Sequence, residues 1–273
     1  MAEMVKGDHF ELNKKNWDRR TEIHLRSEFY DLAGFLEGKN SLNPPELALL
    51  GDVKGKRILH LQCHFGQDSI SLARMGAIVT AVDLSPKAIA VARELSEKAG
   101  VSVRFIESNV YQLPEVLKET FDIVFTSYGV LTWLPDLEAW GKLVHQFLAS
   151  KGQLILVEFH PLCWIFDDDF RRITYPYFNR GPLYFKENGS YTDGSEDAEM
   201  EYVAWNQPLS DVLGALLKVG LQLDDFQEYD YTPYNVFPDL VEDENGKFRF
   251  ASWGDKFPFV YSIVATKQVQ QPS

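Results

Sequence analysis

Residues 58–68 read Ile-Leu-His-Leu-Gln-Cys-His-Phe-Gly-Gln-Asp, and residues 78–85 read Ile-Val-Thr-Ala-Val-Asp-Leu-Ser. An apolar run enters a tight turn ending at Gly66, a helix-length segment follows, and a second apolar run ends on Asp83. No other feature constrains the chain as strongly. Strand, turn, helix and strand make the first half of a nucleotide-binding βαβ unit, with a carboxylate where a ribose would sit.

The turn narrows the ligand. A dinucleotide site uses Gly-x-Gly-x-x-Gly so that a pyrophosphate can approach the backbone. Here Gln62, His64 and Gly66 occupy a Gly-x-Gly-x-Gly-like frame, and only the last is glycine. A bulky turn of this kind suits a nucleoside cofactor that lacks a pyrophosphate.

The pattern continues downstream. Strands are expected at 57–62, 77–82, 101–106, 121–127 and 153–159, with helices at 66–75, 86–99 and 136–148 and a short turn near Pro114. Strands alternating with helices predict an α/β fold built on a doubly wound, mostly parallel sheet. Residues 11–36 read as one helix with an apolar stripe through Trp17, Ile23, Phe29 and Phe35, and Asn43-Pro44-Pro45 opens a second. A helix at 210–219 and strands at 221–229 and 259–266 close the chain.

Residues 160–205 break the alternation with turn signals at Asn179-Arg180-Gly181-Pro182, Asn188-Gly189 and Asp193-Gly194. Yet 23 of the 37 aromatic residues fall within 159–261. That is enough apolar area to pack, and it predicts a cap over the carboxyl ends of the strands, where open α/β sheets bind ligands. The expected division is a single domain over 1–273, with a helical lid at 1–50, a cofactor-binding core at 57–159, a cap insertion at 160–205 and closing elements at 206–267.

Three runs carry a family resemblance: 58–84, then Glu-Ser-Asn-Val-Tyr-Gln-Leu-Pro at 107–114, then Phe-Asp-Ile-Val-Phe-Thr-Ser-Tyr at 121–128. In this order and spacing the chain resembles the class I S-adenosylmethionine-dependent methyltransferases, well over 57–159 and more loosely over the closing elements. The resemblance implies a Rossmann-like seven-stranded sheet ordered 3-2-1-4-5-7-6, with the last strand antiparallel. It implies S-adenosylmethionine as cofactor, with Asp83 on the ribose, Leu84 packed on the adenine, and Asn109 bonding the adenine amino group beside Val110. Gln62, His64 and Gly66 would line the methionine moiety, Gln67 and Asp68 would sit at the helix N-terminus, and Ser127 would complete the set. The chain departs from the family where His60 replaces the usual acid and where Gln62 and His64 replace glycines. The Leu-Gln-Cys-His-Phe-Gly-Gln-Asp variant is similar to a bacterial branch of the family.

The implied reaction is methyl transfer to a small-molecule acceptor enclosed by the cap. Displacement at a sulfonium needs proximity, alignment and water exclusion, and a hydroxyl acceptor also needs a base. Tyr128 after strand four, and Glu158 and His160 after strand five, are the candidate bases. Trp17, Arg20, His24 and Tyr30 recur along one face of the first helix and are candidates for a lid. Trp205, Tyr202, Tyr184 or Tyr231 beside acids would suit a cationic amine acceptor. A non-catalytic S-adenosylmethionine-binding or regulatory protein is the alternative, and a nicotinamide-dependent oxidoreductase a further one.

Charge bears on partners. The net charge is −13, and two runs without Lys or Arg, 187–201 with six acids and 224–246 with eight, account for the excess. Such a surface repels phosphate backbones, so no nucleic-acid partner is expected. Cys63 and Cys163 lack metal-ligand spacing, which predicts free thiols and no metal. No apolar run nears the ~20 residues of a membrane span, and the first ten residues lack a signal-peptide core. A cytoplasmic protein without a membrane partner is expected.

Overall fold

The structure is a computed structural model and describes residues 9–192 and 199–269. The expectations placed on the first eight residues, on Asp193-Gly194 with the neighbouring acids Glu196 and Asp197, and on the end of the polar tail lie outside the described residues.

The helices are α1 (His9–His24), α2 (Leu32–Leu36), α3 (Pro44–Leu50), α4 (Gln67–Arg74), α5 (Pro86–Lys98), α6 (Leu113–Val116), α7 (Leu137–Phe147) and α8 (Leu209–Lys218). The strands are β1 (Arg57–Leu61), β2 (Ile78–Asp83), β3 (Arg104–Glu107), β4 (Phe121–Ser127), β5 (Leu148–Phe159), β6 (Leu183–Asn188), β7 (Glu199–Ala204), β8 (Leu221–Tyr229), β9 (Leu240–Glu242), β10 (Phe248–Phe250) and β11 (Val260–Lys267). Seven strands form one sheet in the order β3-β2-β1-β4-β5-β11-β8. Strand β1 runs parallel to β2, β2 to β3, and β4 to β5, while β11 is antiparallel to both β5 and β8. This is the expected Rossmann-like order with the expected antiparallel closing strand.

Local chemistry sets the element ends. Ser85 caps α5 by accepting the Ala88 N–H at 3.0 Å, and Pro86 occupies the first turn. Asp136 caps α7 through the Ala139 N–H at 2.9 Å. Asn43 and Glu46 form a capping box on α3. The single helix expected over 11–36 is instead broken into α1, a 3-10 turn at Glu28–Tyr30, and α2. Asp31 explains the break: it is left-handed at φ 38°, and its side chain accepts the Gly34 N–H that starts α2.

The chain divides into two compact units. One comprises Met1–Leu42, Val53–Lys118 and Pro182–Ala204. Its core is the buried set Ile58, Leu59, Leu61, Ile70, Leu72, Val82, Ile89 and Ala92. The β6–β7 hairpin belongs to this unit and packs on α1. The second unit comprises Asn43–Asp52, Glu119–Gly181 and Trp205–Ser273. Here α7 packs on α8 so closely that a Cβ on Gly141 would lie 2.8 Å from the Ala215 carbonyl oxygen. Phe159, Phe250, Phe257 and Phe259 build a second cluster, against which Trp164, Phe166, Phe170, Phe237 and Trp253 pack. The segment read from sequence as one cap, 160–205, is thus shared: its first half joins the aromatic cluster and its second half the α1 hairpin.

Cys63 and Cys163 are buried and free. Among the described residues no helix is long and apolar enough to cross a membrane.

Candidate functional site

In the first unit the turn between β1 and α4 keeps a glycine-like backbone without the glycines. Gln62 (φ 56°), His64 (φ 51°) and Gly66 (φ 80°) are all left-handed. A side chain in that region costs roughly 1–2 kcal/mol per residue, so two strained residues are held in place by their surroundings. The Cys63 N–H donates to the Val82 carbonyl at 2.9 Å, and the Gly66 N–H donates to the Cys63 carbonyl at 2.9 Å. Gly66 is required twice over, because a Cβ there would also lie 2.7 Å from the Phe105 ring.

Asp83 ends β2 against this turn. Its Oδ2 accepts the His64 N–H at 2.8 Å and its Oδ1 accepts the Ser85 N–H at 2.9 Å. Burial pushes the carboxyl up to about 6, against the pull of the Ser85, His64 and Leu84 amides. Leu84 follows directly. Asn109 caps the turn at Val110–Gln112 by accepting the Tyr111 N–H at 3.0 Å, and Val110 is buried. Gln67 opens α4, is buried, and donates from Nε2 to the Tyr30 carbonyl at 2.8 Å; Asp68 lies in the same first turn. The first unit therefore gathers nine of the ten expected cofactor residues onto the ends of β1, β2 and β3. The tenth, Ser127, is the last residue of β4 in the second unit.

These groups fit an adenosyl cofactor. A carboxylate at the end of the second strand can accept both hydroxyls of a ribose, since each oxygen has a second lone pair. Leu84 and Val110 are the apolar residues that would cover a base. His60, where the family has an acid, is buried and held neutral, its value pushed down to about 3 by burial, with Nδ1 2.8 Å from Ser69 Oγ. It offers no negative charge to an ammonium group.

The face of α1 expected to act as a lid packs on the turn. His24 Nδ1 lies 2.8 Å from His64 Nε2, and His24 Nε2 lies 2.8 Å from Ser190 Oγ. Arg20 donates to the same Ser190 Oγ at 2.9 Å. The Trp17 and Tyr30 rings meet the His64 ring edge-on at centroid distances of 5.2 and 5.6 Å. Burial holds both imidazoles neutral, His64 at about 3, and the Arg20 charge adds to the effect. Sequence reasoning missed the other half of this face. Asn13 Nδ2 donates to the Val203 carbonyl at 2.9 Å while Asn13 Oδ1 accepts the Val203 N–H at 3.0 Å, and Asn16 Nδ2 donates to the Glu201 carbonyl. Asn13, Asn16, Arg20 and His24 recur at helical spacing, and that polar stripe was the available signal.

In the second unit the three candidate bases receive different duties. Glu158 is buried, and its oxygens accept four backbone N–H groups: Gly129, Val130 at 2.8 Å, Leu131 at 2.9 Å and Phe159 at 2.6 Å. Burial raises its carboxyl, and those four amides oppose the rise. Its reading as a base gives way to one as the clamp that shapes the loop after β4. His160 is also committed: Nδ1 accepts the Leu162 N–H at 3.2 Å, so Nε2 carries the hydrogen donated to Glu228 at 3.0 Å. With both ring nitrogens engaged it caps the turn at Pro161–Trp164. Tyr128, the third candidate, directly follows β4. It is left-handed (φ 36°), half-buried, and donates its phenol hydrogen to Glu46 Oε2 at 2.8 Å.

The expected aromatic receptor for an amine is corrected by the chain's own cations. Arg20 lies over the Tyr202 ring, and Lys247 and Arg249 lie over Tyr231. Trp205 is buried, and Tyr184 is exposed with its hydroxyl 3.0 Å from His9. Several acids of the two runs are paired as well: Lys186 meets Glu199 and Glu201, and Arg249 meets Asp230 and Asp243. Among the described residues no group of three His, Cys, Asp or Glu converges as a metal site would require.

Residues 58–152 match a family model described as a methyltransferase domain. The chain is 33% identical over 135 residues to a ubiquinone biosynthesis O-methyltransferase of Xanthomonas euvesicatoria pv. vesicatoria, covering 48% of this chain and 56% of that one. It is 28% identical over 170 residues to the protein of the same name from Pseudomonas aeruginosa, covering 58% and 67%. The chain thus spans little more than half the length of the first of these relatives. Among solved structures, an S-adenosylmethionine-dependent methyltransferase from Mesorhizobium loti aligns with a TM-score of 0.56 at 19% identity, over 85% of this chain and 100% of the other. One from Clostridium acetobutylicum aligns with a TM-score of 0.57 at 16% identity, over 94% and 99%. At these identities the structural likeness establishes the fold. That fold is the one shared by S-adenosylmethionine-dependent methyltransferases, and the match over 58–152 is to a methyltransferase domain.

Proposed function

We propose that this protein transfers the methyl group of S-adenosylmethionine to a hydroxyl group of a small-molecule acceptor. The observation that carries the reading is the Asp83 carboxylate, held by the amides of His64 and Ser85 at the mouth of a left-handed turn. The hydroxyl is supported by the curated relatives, which are named O-methyltransferases.

The bound sulfonium supplies an activated methyl group. The protein's part is to hold and align. Asp83 takes the ribose hydroxyls, Leu84 and Val110 cover the base, and Asn109 meets its amino edge. The turn from Gln62 to Gly66 lines the methionine moiety, and α1 keeps water from it with Trp17, His24 and Tyr30.

Calorimetric titration with S-adenosylhomocysteine and with NAD separates the readings. Binding of the first and not the second is expected, together with tritium transfer from labelled S-adenosylmethionine to members of a phenol and alcohol panel. Binding of the dinucleotide alone would sink the proposal. Binding of S-adenosylhomocysteine with no transfer to phenols, alcohols, amines or thiols would favour a non-catalytic cofactor-binding protein.

A further inference from the structure

His64 stands in the turn after β1 at φ 51°, a conformation that glycine adopts freely and histidine only under strain. One of its ring nitrogens is engaged, Nε2 lying 2.8 Å from His24 Nδ1. The other, Nδ1, is buried and has no hydrogen-bond partner among the described residues. The rings of Trp17, Tyr30 and Phe65 stand against the imidazole at centroid distances of 5.2, 5.6 and 4.1 Å, so its surroundings are largely aromatic. An unsatisfied polar atom in such a place is costly. Glycine would avoid both the strain and the orphaned nitrogen. Packing alone does not account for a histidine here, and a ligand group that reaches Nδ1 does.

The residues behind His24 select the kind of group. Arg20 Nη1 donates to Ser190 Oγ at 2.9 Å, and the same oxygen lies 2.8 Å from His24 Nε2. A guanidinium can only donate. With a cation at one end, a hydrogen-bonded chain favours the order in which each later hydrogen points away from it, because every dipole then turns its negative end to the charge. In that order the Ser190 hydroxyl donates to His24 Nε2 and His24 Nδ1 donates to His64 Nε2. The one hydrogen of the neutral His64 ring then stays on Nδ1. The Arg20 charge also reaches both imidazoles, where it adds to burial in holding them neutral. His64 therefore offers a donor within a positive field, which suits an anionic acceptor and opposes a cation.

We propose that His64 Nδ1 donates to the carboxylate at the amino-acid end of S-adenosylmethionine, with Arg20, Ser190 and His24 fixing the ring hydrogen on that nitrogen. The inference rests on the methyltransferase reading above. All four residues belong to the first unit, which also carries Asp83. Asp83 would hold the ribose and His64 the far end of the methionine arm.

Calorimetry on the full chain and on His64→Gly tests this with two ligands, S-adenosylhomocysteine and its decarboxylated analogue, which keeps the amine and lacks the carboxylate. Glycine relieves the left-handed strain, so the variant keeps the turn. The wild type is expected to prefer S-adenosylhomocysteine by at least about tenfold, the scale of one hydrogen bond to a charged group, and the variant by less than about twofold. Nitrogen-15 spectra of histidine-labelled protein, with the His64 signals assigned by their loss in the variant, are expected to show a protonated Nδ1 in the complex. The same preference in both proteins, whether or not both ligands weaken together, overturns the proposal, and so does a bare His64 Nδ1. A wild type that binds S-adenosylhomocysteine without the preference also overturns it and leaves the methyltransferase reading standing. A wild type that binds neither ligand removes that reading as well.

Discussion

Asp83 closes the turn that His64 occupies: the carboxylate ending β2 accepts the His64 N–H at 2.8 Å, and with it the strained backbone after β1 is tied to the acid proposed to meet the ribose. Turn geometry and ligand chemistry are therefore linked through one side chain.

Binding should accordingly move protons. Burial raises Asp83 to about 6, and ribose hydroxyls favour its charged form, so cofactor binding lowers the value again. Titrations of S-adenosylhomocysteine near pH 6, in buffers of different ionisation enthalpy, are expected to show fractional proton release that fades well above pH 6. Asp83→Asn should abolish the release and weaken binding by about tenfold or more. For folding alone, the raised value means that the native acid holds a proton between about 3.8 and 6 that the unfolded chain has lost. Its share of stability therefore grows as pH falls through that window.

The buried imidazoles work in the opposite direction. Burial drives His60 and His64 down to about 3, so both are neutral in the native state where the unfolded chain is charged. Their contribution is complete above the ordinary value of 6.5 and is lost as pH falls from there toward 3. The thermal midpoint of His64→Asn should fall less steeply with acid than that of the wild type, asparagine being tolerant of the left-handed backbone.

Gly66→Ala meets two obstacles, the φ of 80° and the Phe105 ring 2.7 Å from the new Cβ. A loss of about 2–5 kcal/mol is expected, read as a lower denaturant midpoint at unchanged m.

Asn13→Ala removes a side chain that behaves like a strand edge, pairing both the N–H and the carbonyl of Val203. It leaves those groups without their partner at a cost of about 2–3 kcal/mol. Hydrogen exchange should speed up in α1 and β7 while the amides of β1 and β2 keep their protection.

Much of the fold was legible because its signals are local. Apolar runs of strand length, Ser85-Pro86 at a helix start and the acid ending β2 act within a few residues of themselves, so the strands, their helices and the cofactor turn could be located in advance. The break in the first helix at Asp31 was harder, since a left-handed aspartate leaves no mark in the apolar periodicity. Glu158 and His160 have the residue types and strand-end positions of bases. Whether such a group is a base or a clamp depends on which amides and acids lie within 3 Å, and Gly129, Val130, Leu131 and Glu228 reach them from distant parts of the chain.

Sequence alone located the strands, their helices and the turn around Gly66, because periodicity, capping and turn chemistry are written in short segments, while the strand order came from the family resemblance. Only the tertiary structure decided which polar groups meet. It set Asn13 against Val203, His24 against His64, and Tyr128 against Glu46, pairs 190, 40 and 82 positions apart. Hydrogen bonds act over about 3 Å, and across such separations no pattern along the chain encodes that distance.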